Sequence, residues 1–287
     1  MLAFVFPGQG SQKRGMGGAL FSQVPEYTAV EREVDRLVGY SMRGLCLEDP
    51  QNLLRETQYT QPALYVVNAL HYFKAKAEGE SPAFLAGHSL GEYNALLAGG
   101  VFDFVTGLKL VQKRGEIMAT VKNGGMAAVI GLSGERVAEI LGAGELSGLD
   151  VANFNSPSQT VISGASALIK RAEGVFEAAG ARMCIPLEVS AAFHSRHMAA
   201  AAESFSSFLA PVTCNAPRVP VIANTTSRPY PANSADIKAL LVQQISRPVL
   251  WTQSIRYLLQ HGVKTCKEIG PGTVLTRLLQ QIQATSA

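Results

Sequence analysis

The stretch Ala86-Gly87-His88-Ser89-Leu90-Gly91-Glu92 has the pattern G-x-S-x-G between a short apolar run, Ala83 to Ala86, and a helix-compatible run, Leu90 to Ala98. A serine at a sharp strand-to-helix turn exposes its hydroxyl at the positive end of the helix. Flanking glycines let the backbone pass through such a turn without a clash. The stretch therefore predicts an α/β fold in which Ser89 is a nucleophile.

The composition is typical of a globular protein. With 287 residues, of which 47% are hydrophobic and 16% charged, the chain can form one large domain that carries a small insert. The 25 Lys and Arg residues nearly balance the 22 Asp and Glu residues, which argues against nucleic acid as a partner but allows a local basic patch. No apolar run approaches the ~20 residues that span a membrane, and the N-terminus lacks a basic region. We expect a cytoplasmic enzyme without a membrane partner.

The cysteines give no sign of a metal site. Cys46, Cys184, Cys214 and Cys266 are scattered, without a C-x-x-C pair or a histidine at ligand spacing. Neither a zinc site nor a disulfide framework is indicated. We expect buried free thiols and no metal.

Two stretches before the serine predict further parts of the fold. The apolar run Leu2 to Phe6 stops at Pro7-Gly8-Gln9-Gly10-Ser11-Gln12, which indicates a buried strand running into a tight loop. Loops at this edge of open α/β sheets build ligand sites. Thr60-Gln61-Pro62 predicts the start of a helix that continues to Lys76, because proline fits the first helical turn.

The pattern changes after Asn123 and predicts a separate small unit. Strands are predicted at Met126 to Leu132, Leu149 to Phe154, Thr160 to Ser163 and Ala181 to Val189, with helices at Gly134 to Leu141 and Ala165 to Ala179. This order, βαββαβ, is typical of a ferredoxin-like arrangement. We predict a ferredoxin-like subdomain, residues 123–190, inserted into a large α/β-hydrolase-like domain with a parallel-sheet core, residues 1–122 and 191–287.

Arg114 has an unusual place on the helix predicted from about Asp103 to Thr120. It lies three or four residues from Leu110, Val111, Ile117 and Met118, so helical geometry places it on the apolar face. A buried unpaired charge costs several kcal/mol, so the guanidinium needs an anion. Spacing alone leaves a structural salt bridge and a ligand carboxylate equally open.

A serine nucleophile also needs a base, and the chain has five histidines. His71 and His261 lie in or at the end of predicted helices, and the elbow aims the side chain of His88 away from its neighbour Ser89. His194 and His197 lie where the insert returns to the large domain. Because domain junctions line clefts, one of these two is the predicted base.

Several motifs in one order carry a family resemblance. They are Phe6-Pro7-Gly8-Gln9-Gly10-Ser11-Gln12, Thr60-Gln61-Pro62-Ala63, Gly87-His88-Ser89-Leu90-Gly91-Glu92, Lys113-Arg114-Gly115, Asn153-Phe154-Asn155-Ser156-Pro157, Phe193-His194 and Glu268-Ile269-Gly270-Pro271-Gly272. Across nearly the whole chain, the sequence resembles the malonyl-CoA:acyl-carrier-protein transacylases, and most of all the discrete acyltransferases that serve polyketide synthases in trans.

The resemblance implies roles for particular residues. Ser89 matches the nucleophile and His194 the general base of a Ser-His dyad. The backbone N–H groups of Gln9 and Leu90 match the oxyanion hole. Arg114 matches the arginine that binds the free carboxylate of the malonyl group.

Two further positions follow from the same resemblance. Gln244 matches the residue whose backbone carbonyl orients the histidine. Phe193, directly before the base, matches the bulky residue of malonyl-selective members and is expected to exclude an α-methyl branch. No carboxylate is expected as a third member of the dyad.

The implied activity is a two-step transfer of a malonyl group for polyketide or fatty acid biosynthesis. Malonyl-CoA, a coenzyme A thioester, would load Ser89, and the phosphopantetheine thiol of an acidic acyl carrier protein would accept the group. No bound cofactor and a monomeric state are expected. Lys13, Arg14 and Arg196 lie beside motif residues and are open candidates for carrier docking.

Three other functions compete with this prediction. The nearest is an acyl hydrolase of the same fold that clears acyl groups from carrier proteins, which is expected to lack the arginine at position 114. An unrelated α/β-hydrolase esterase would need an acidic triad member between serine and histidine. A non-catalytic docking module has no use for Ser89, His194 and Arg114.

Overall fold

The computed structural model describes residues 1–189 and 191–285. Ser190 and residues 286–287, which the predicted domain ranges include, lie outside the described residues. The described strands are β1 (Leu2–Phe6), β2 (Phe84–Gly87), β3 (Gly124–Ile130), β4 (Asp150–Ser156), β5 (Gln159–Ala165), β6 (Met183–Pro186), β7 (Val221–Ile222) and β8 (Thr265–Glu268).

The described α-helices are α1 (Leu20–Gln23), α2 (Pro25–Thr28), α3 (Glu31–Val38), α4 (Met42–Leu47), α5 (Thr57–Ala77), α6 (Gly91–Ala98), α7 (Phe104–Thr120), α8 (Gly134–Gly142), α9 (Ser166–Ala178), α10 (Ala199–Leu209), α11 (Ser234–Ser246), α12 (Trp251–Gln260) and α13 (Val274–Ala284). Short 3-10 helices lie at Leu53–Arg55 and Arg196–Met198. None of the described helices is both long and apolar enough to cross a membrane.

Four strands form a parallel sheet in the order β7-β2-β1-β8. The apolar side chains of β1 alternate between its two faces. Phe4 and Phe6 pack into the core shared with α5, α6 and α7, whereas Ala3 and Val5 pack against α12 and α13. Burial on both faces explains why β1 is an unbroken apolar run in the sequence.

The other four strands form an antiparallel sheet in the order β4-β5-β3-β6. One face packs on α8 and α9 through Ala127, Val129 and Phe176. The opposite face contributes Met126 and Ala128 to the core of the parallel-sheet region. The predicted mixed α/β fold is confirmed, and the predicted order of strands and helices between residues 124 and 186 is observed.

Backbone hydrogen bonds join the two sheets. The Phe154 N–H donates to the Val249 carbonyl at 2.9 Å, and the Val249 N–H donates to the Ala152 carbonyl at 2.8 Å. These bonds extend the β4 edge into the segment before α12. The chain around Val249 is therefore shared by both halves of the molecule.

The predicted start of α5 is wrong. The helix begins at Thr57, so Pro62 lies inside it rather than in its first turn. Proline there cannot donate a hydrogen bond to the Gln58 carbonyl, which costs local helix stability. For that reason a proline in the sequence indicates the first turn of a helix. Tertiary burial of the helix from Thr60 to Leu70 offsets that cost.

Candidate active site

Ser89 lies on a sharp turn between β2 and α6 at the carboxyl edge of the parallel sheet. Its φ of 49° is in the left-handed region, which an L-residue adopts only at a cost of about 1 to 3 kcal/mol. The turn aims the Ser89 hydroxyl into a pocket instead of along the helix. This is the geometry that the G-x-S-x-G pattern predicts.

The glycines around Ser89 are required by close backbone contacts. A Cβ added at Gly87 would overlap the backbone of Gly91, and one at Gly91 would overlap the Phe6 carbonyl at the end of β1. One added at Gly8 would overlap the His88 carbonyl and lie 3.7 Å from the Leu90 nitrogen. The loop after β1 is therefore packed directly against the serine turn.

The structure brings Ser89 and His194 together, although they are 105 residues apart. Ser89 Oγ lies 2.7 Å from His194 Nε2, and His194 Nδ1 lies 2.8 Å from the backbone carbonyl of Gln244. A carbonyl only accepts, so Nδ1 carries the proton and leaves Nε2 free to accept one. The other candidate base, His197, is exposed and donates its backbone N–H to Ser195 Oγ.

His194 is held as a neutral imidazole. Its side chain is buried, and burial together with the positive charge of Arg114 lowers the pKa of His194 to about 3. An imidazole that stays neutral around pH 7 is ready to take a proton from a serine hydroxyl. His88 does not compete for this role, because its Nε2 lies 2.8 Å from Asn155 Oδ1.

Arg114 is buried with only 1% of its surface exposed. Its Nη1 donates to Gln61 Oε1 at 2.7 Å, and its Nη2 donates to Ser89 Oγ at 3.0 Å and to Gln244 Oε1 at 3.0 Å. The guanidinium carbon lies 5.6 Å from the ring centroid of Tyr93. These hydrogen-bonding partners are neutral, so none of them offsets the positive charge of the guanidinium beside Ser89.

Glu92 is a second buried titratable group beside Ser89, and the sequence pattern assigned it no role. Its carboxylate is fully buried and accepts from the Asn224 N–H at 2.7 Å, from the Tyr230 hydroxyl at 3.0 Å and from Gln244 Nε2 at 2.7 Å. Burial raises the pKa of Glu92 to about 7, against the opposing effect of these hydrogen bonds. Its presence in the quoted serine stretch was the only signal in the sequence.

Gln244 connects these groups. Its side-chain Nε2 donates to Glu92 and also to the Ser89 carbonyl at 2.7 Å, while its Oε1 accepts from Arg114. Its backbone carbonyl faces His194. One residue therefore contacts the nucleophile, the base, the arginine and the buried carboxylate.

The predicted oxyanion donors lie at the same pocket. Leu90 is the residue before α6, and Gln9 lies in the loop packed on the serine turn. The N–H of Ser89 itself is occupied, since it donates to Asn224 Oδ1 at 2.8 Å. Among residues 1–189 and 191–285, the Leu90 and Gln9 N–H groups donate to no acceptor.

A cavity of about 100 Å³ lies at Ser89, His194 and Arg114, and it is lined by loops that follow β1 and β2 and by Met126 and Asn153 of the antiparallel sheet. Phe193, Met126 and Leu187 form part of its wall. Phe193 also borders an adjoining cavity of about 480 Å³ that contains Arg55 and Lys122. The small cavity thus adjoins, at Phe193, a larger cavity whose lining includes both basic and acidic side chains, Glu56 and Glu188 among them.

The remaining predictions concern metals and surface charges. No cluster of His, Cys, Asp or Glu in the described part of the chain could hold a metal ion. Arg196, a candidate for carrier docking, is paired with Asp150, because its Nε donates to both carboxylate oxygens at 2.9 and 3.0 Å.

Known proteins are similar to this chain over nearly its whole length. The family model described as "Acyl transferase domain" matches residues 3–285. The chain is 50% identical over 285 residues to the polyketide biosynthesis malonyl CoA-acyl carrier protein transacylase PksC of Bacillus subtilis, covering 99% of this chain and 97% of that protein. It is 51% identical to the polyketide biosynthesis protein ThaF of Burkholderia thailandensis, covering 98% of this chain but about a quarter of that longer protein, 24%.

A solved structure is similar to this chain in both fold and sequence. It is described as "PlMCAT:AntF (holo): type II PKS acyl-carrier protein in complex with its malonyl-transacylase". The TM-score is 0.91 and the identity 35%, with 99% of this chain and 93% of that chain covered.

Proposed function

The chain belongs to the acyl transferase domain family, and on that premise we propose that it transfers a malonyl group from malonyl-CoA to the phosphopantetheine thiol of an acyl carrier protein in polyketide biosynthesis. The observation that carries the proposal is the pair of contacts at Ser89 Oγ, with His194 Nε2 at 2.7 Å and Arg114 Nη2 at 3.0 Å. The base suits attack on a thioester, and the cation suits the free carboxylate of a malonyl group. The polyketide context is supported by the name of the 50% identical relative.

The first half-reaction loads the serine. Ser89 Oγ attacks the thioester carbonyl of malonyl-CoA while His194 Nε2 takes the hydroxyl proton. The carbonyl oxygen becomes an oxyanion, which the backbone N–H groups of Gln9 and Leu90 stabilise. Loss of one such donor typically costs about 3 to 4 kcal/mol in the transition state. The C–S bond then breaks, His194 returns the proton to the CoA sulfur, and a malonyl-serine ester remains.

The second half-reaction runs the same steps with another thiol. His194 takes the proton of the phosphopantetheine thiol, whose sulfur attacks the malonyl-serine ester. The same two N–H groups hold the second oxyanion, and Ser89 Oγ leaves with the proton from His194. No resident cofactor is needed, because the acyl group arrives activated as a thioester and leaves as one.

Arg114 binds the malonyl carboxylate in this scheme. Guanidinium and carboxylate form paired hydrogen bonds that fix orientation as well as charge. The positive charge of Arg114 also contributes to the low pKa of His194. A substrate carboxylate that neutralises Arg114 therefore makes His194 a stronger base when the correct acyl group is present.

Phe193 is proposed to select malonyl over methylmalonyl groups. Its ring is 7% exposed and lines the cavity that contains Ser89 and Arg114. An α-methyl branch needs space close to the carbon between carboxylate and thioester. A bulky ring in that wall disfavours the branch by steric exclusion.

We also propose the finer domain division of the sequence prediction. The strand order β4-β5-β3-β6, produced by a βαββαβ chain, supports a ferredoxin-like subdomain within residues 123–190. The parallel sheet with the serine turn between β2 and α6 supports an α/β-hydrolase-like domain built from residues 1–122 and 191–287. The active site then lies between the two units.

Intact-mass spectrometry after mixing with acyl-CoA esters tests the proposed function. We expect a malonyl adduct on the wild-type protein and on the surface control Ser204→Ala, and none on Ser89→Ala. The adduct should persist in buffer and disappear when holo carrier protein is added. An adduct on Ser89→Ala would rule out the dyad, and rapid loss to water without carrier would identify a hydrolase.

A further inference from the structure

The strand β6 carries apolar side chains that are open to solvent. Met183, Ile185 and Leu187, the last just beyond the strand, are 45%, 39% and 38% exposed. They alternate along the chain, so they share one face of the antiparallel sheet. We call these three residues the apolar strip.

The strand register shows which face this is. Met183 lies opposite Ile130 and Ile185 opposite Ala128, and directly paired residues of antiparallel strands point to the same face. Cys184 points the other way, into the core formed with α8 and α9. The apolar strip therefore continues the face that packs against the parallel-sheet region at β3, but at β6 this face is left partly open to solvent.

The apolar strip leads to the active-site cavity. The Leu187 N–H donates to the Met126 carbonyl at 2.9 Å, and the side chains of both residues line the cavity that contains Ser89. From Met183 to Leu187 the chain spans roughly 13 Å at about 3.3 Å per residue. One end of the strip lies on the outer surface and the other forms the wall of the site.

A basic residue lies at the outer end. Arg182 precedes Met183 and is exposed, and its side chain has no hydrogen bond or ion pair within the described residues. The strip is also at a sheet edge, because β6 pairs only with β3 among the described strands. The exposed Glu188 follows Leu187 at the inner end. A partner that covers this surface therefore needs an apolar contact and a negative charge at the outer end, beside Arg182.

We propose that the apolar strip is the docking surface for the acidic carrier protein, whose phosphopantetheine arm passes Leu187 to reach Ser89. This inference rests on the proposed function. Small molecules bind in concave sites, whereas an exposed apolar strip beside an unpaired arginine is typical of a protein interface. CoA lying on the strip would remain open to water on one side, but a carrier protein supplies the second wall.

The test separates the two half-reactions. In Met183→Thr/Ile185→Thr, threonine has the β-branched shape that suits a strand but removes two large apolar side chains from the strip. We expect kcat/KM for discharge onto holo carrier protein to fall about tenfold. Malonyl loading from malonyl-CoA and discharge onto free pantetheine should change less than twofold.

Charge reversal provides an independent arm. Arg182→Glu should slow discharge onto the carrier about tenfold at low ionic strength, with the difference shrinking as salt screens the charges. Val274→Thr, which alters a 43% exposed apolar residue on α13, and Arg32→Glu, on α3, serve as matched controls. Both should transfer malonyl groups at the wild-type rate.

Three results would overturn the docking proposal while leaving the proposed function intact. The first is unchanged carrier discharge in both Met183→Thr/Ile185→Thr and Arg182→Glu. The second is an equal loss with carrier and with free pantetheine, which would assign the strip to the arm alone. The third is a wild-type dimer in light scattering that Met183→Thr/Ile185→Thr converts to a monomer, which would assign the strip to a second copy of the chain. Failure of the proposed function itself would appear earlier, as a wild-type protein that malonyl-CoA does not load.

Discussion

At the scale of single residues, Arg114 and His194 are coupled through charge. Arg114→Ala removes the cation that we propose binds the malonyl carboxylate, so malonyl loading should fall about a hundredfold, whereas acetyl loading should change far less. The pKa of His194 should rise, because a nearby positive charge no longer disfavours the imidazolium, although burial keeps it below its ordinary value. Loading rates with the two CoA esters and histidine NMR titrations measure these effects.

The neighbouring, half-buried Lys113 gives the matched control for Arg114. Lys113→Ala alters a charge on the same helix without touching the cavity, so both loading rates should stay at the wild-type value. An equal loss of malonyl and acetyl loading in Arg114→Ala would instead assign the arginine a purely structural role.

Phe193 provides the prediction for acyl selectivity. Phe193→Ala opens the cavity wall, and the preference for malonyl-CoA over methylmalonyl-CoA should fall by about tenfold, the usual effect of one methyl group in an apolar pocket. Competition between the two esters, followed by intact mass, measures the ratio. Phe193→Leu should shift the ratio less, and an unchanged ratio in both variants would contradict the steric role.

At the scale of elements, the turn between β2 and α6 depends on glycine. Gly87→Ala places a Cβ onto the Gly91 backbone, which only a shift of the strand or helix can relieve, at about 3 kcal/mol or more. Gly174→Ala is the control, because a Cβ there meets nothing within 4 Å inside α9. It should stabilise the protein by about 0.5 to 1 kcal/mol. Urea unfolding measures both, and an unfolding free energy of Gly87→Ala equal to that of the wild type would contradict the packing argument.

The same scale shows what sequence patterns can predict. A helix with both a cap and an apolar face was predicted well, as with α7, where Asp103 accepts from the Thr106 N–H and the helix spans Phe104–Thr120. The start of α5 failed because Pro62 is a local start signal, while burial of the preceding turn is a tertiary effect. Local chemistry determined these elements except where distant packing outweighed it.

At the scale of the whole molecule, the site is assembled from segments far apart in the chain. The bonds from Ser89 to His194 and from Gln244 to Ser89 join residues separated by 105 and 155 positions. Ser89 and Arg114 could be singled out because each has a local signature, a glycine-flanked turn and a charge on an apolar face. Glu92 had no local signature, since the residues that hydrogen-bond to it, Asn224, Tyr230 and Gln244, become its neighbours only in the folded chain.

That buried carboxylate leads to a prediction about stability and pH. Burial raises the pKa of Glu92 from its ordinary value of 4.5 to about 7, so the folded chain keeps a proton on this group up to about pH 7. The group therefore stabilises the fold at low pH, and this contribution is lost as the pH rises from 4.5 to 7. His194 acts in the opposite direction, because its pKa falls from 6.5 to about 3, and the unfolded chain gains the proton on acidification. Between about pH 4.5 and 6.5, Glu92 and His194 therefore change the free energy of unfolding with pH in opposite directions.

Glu92→Gln removes one of the two slopes. The variant should lose stability on acidification more steeply than the wild type, by up to about 1.4 kcal/mol per pH unit, the limit for one proton. Urea midpoints between pH 4.5 and 6.5 measure the slope separately from the overall loss caused by the changed hydrogen bonds. The exposed control Glu203→Gln should follow the wild-type curve. Parallel curves of stability against pH for Glu92→Gln and the wild type would mean that Glu92 is ionised throughout this range. Its carboxylate would then offset the charge of the buried Arg114 at every pH measured.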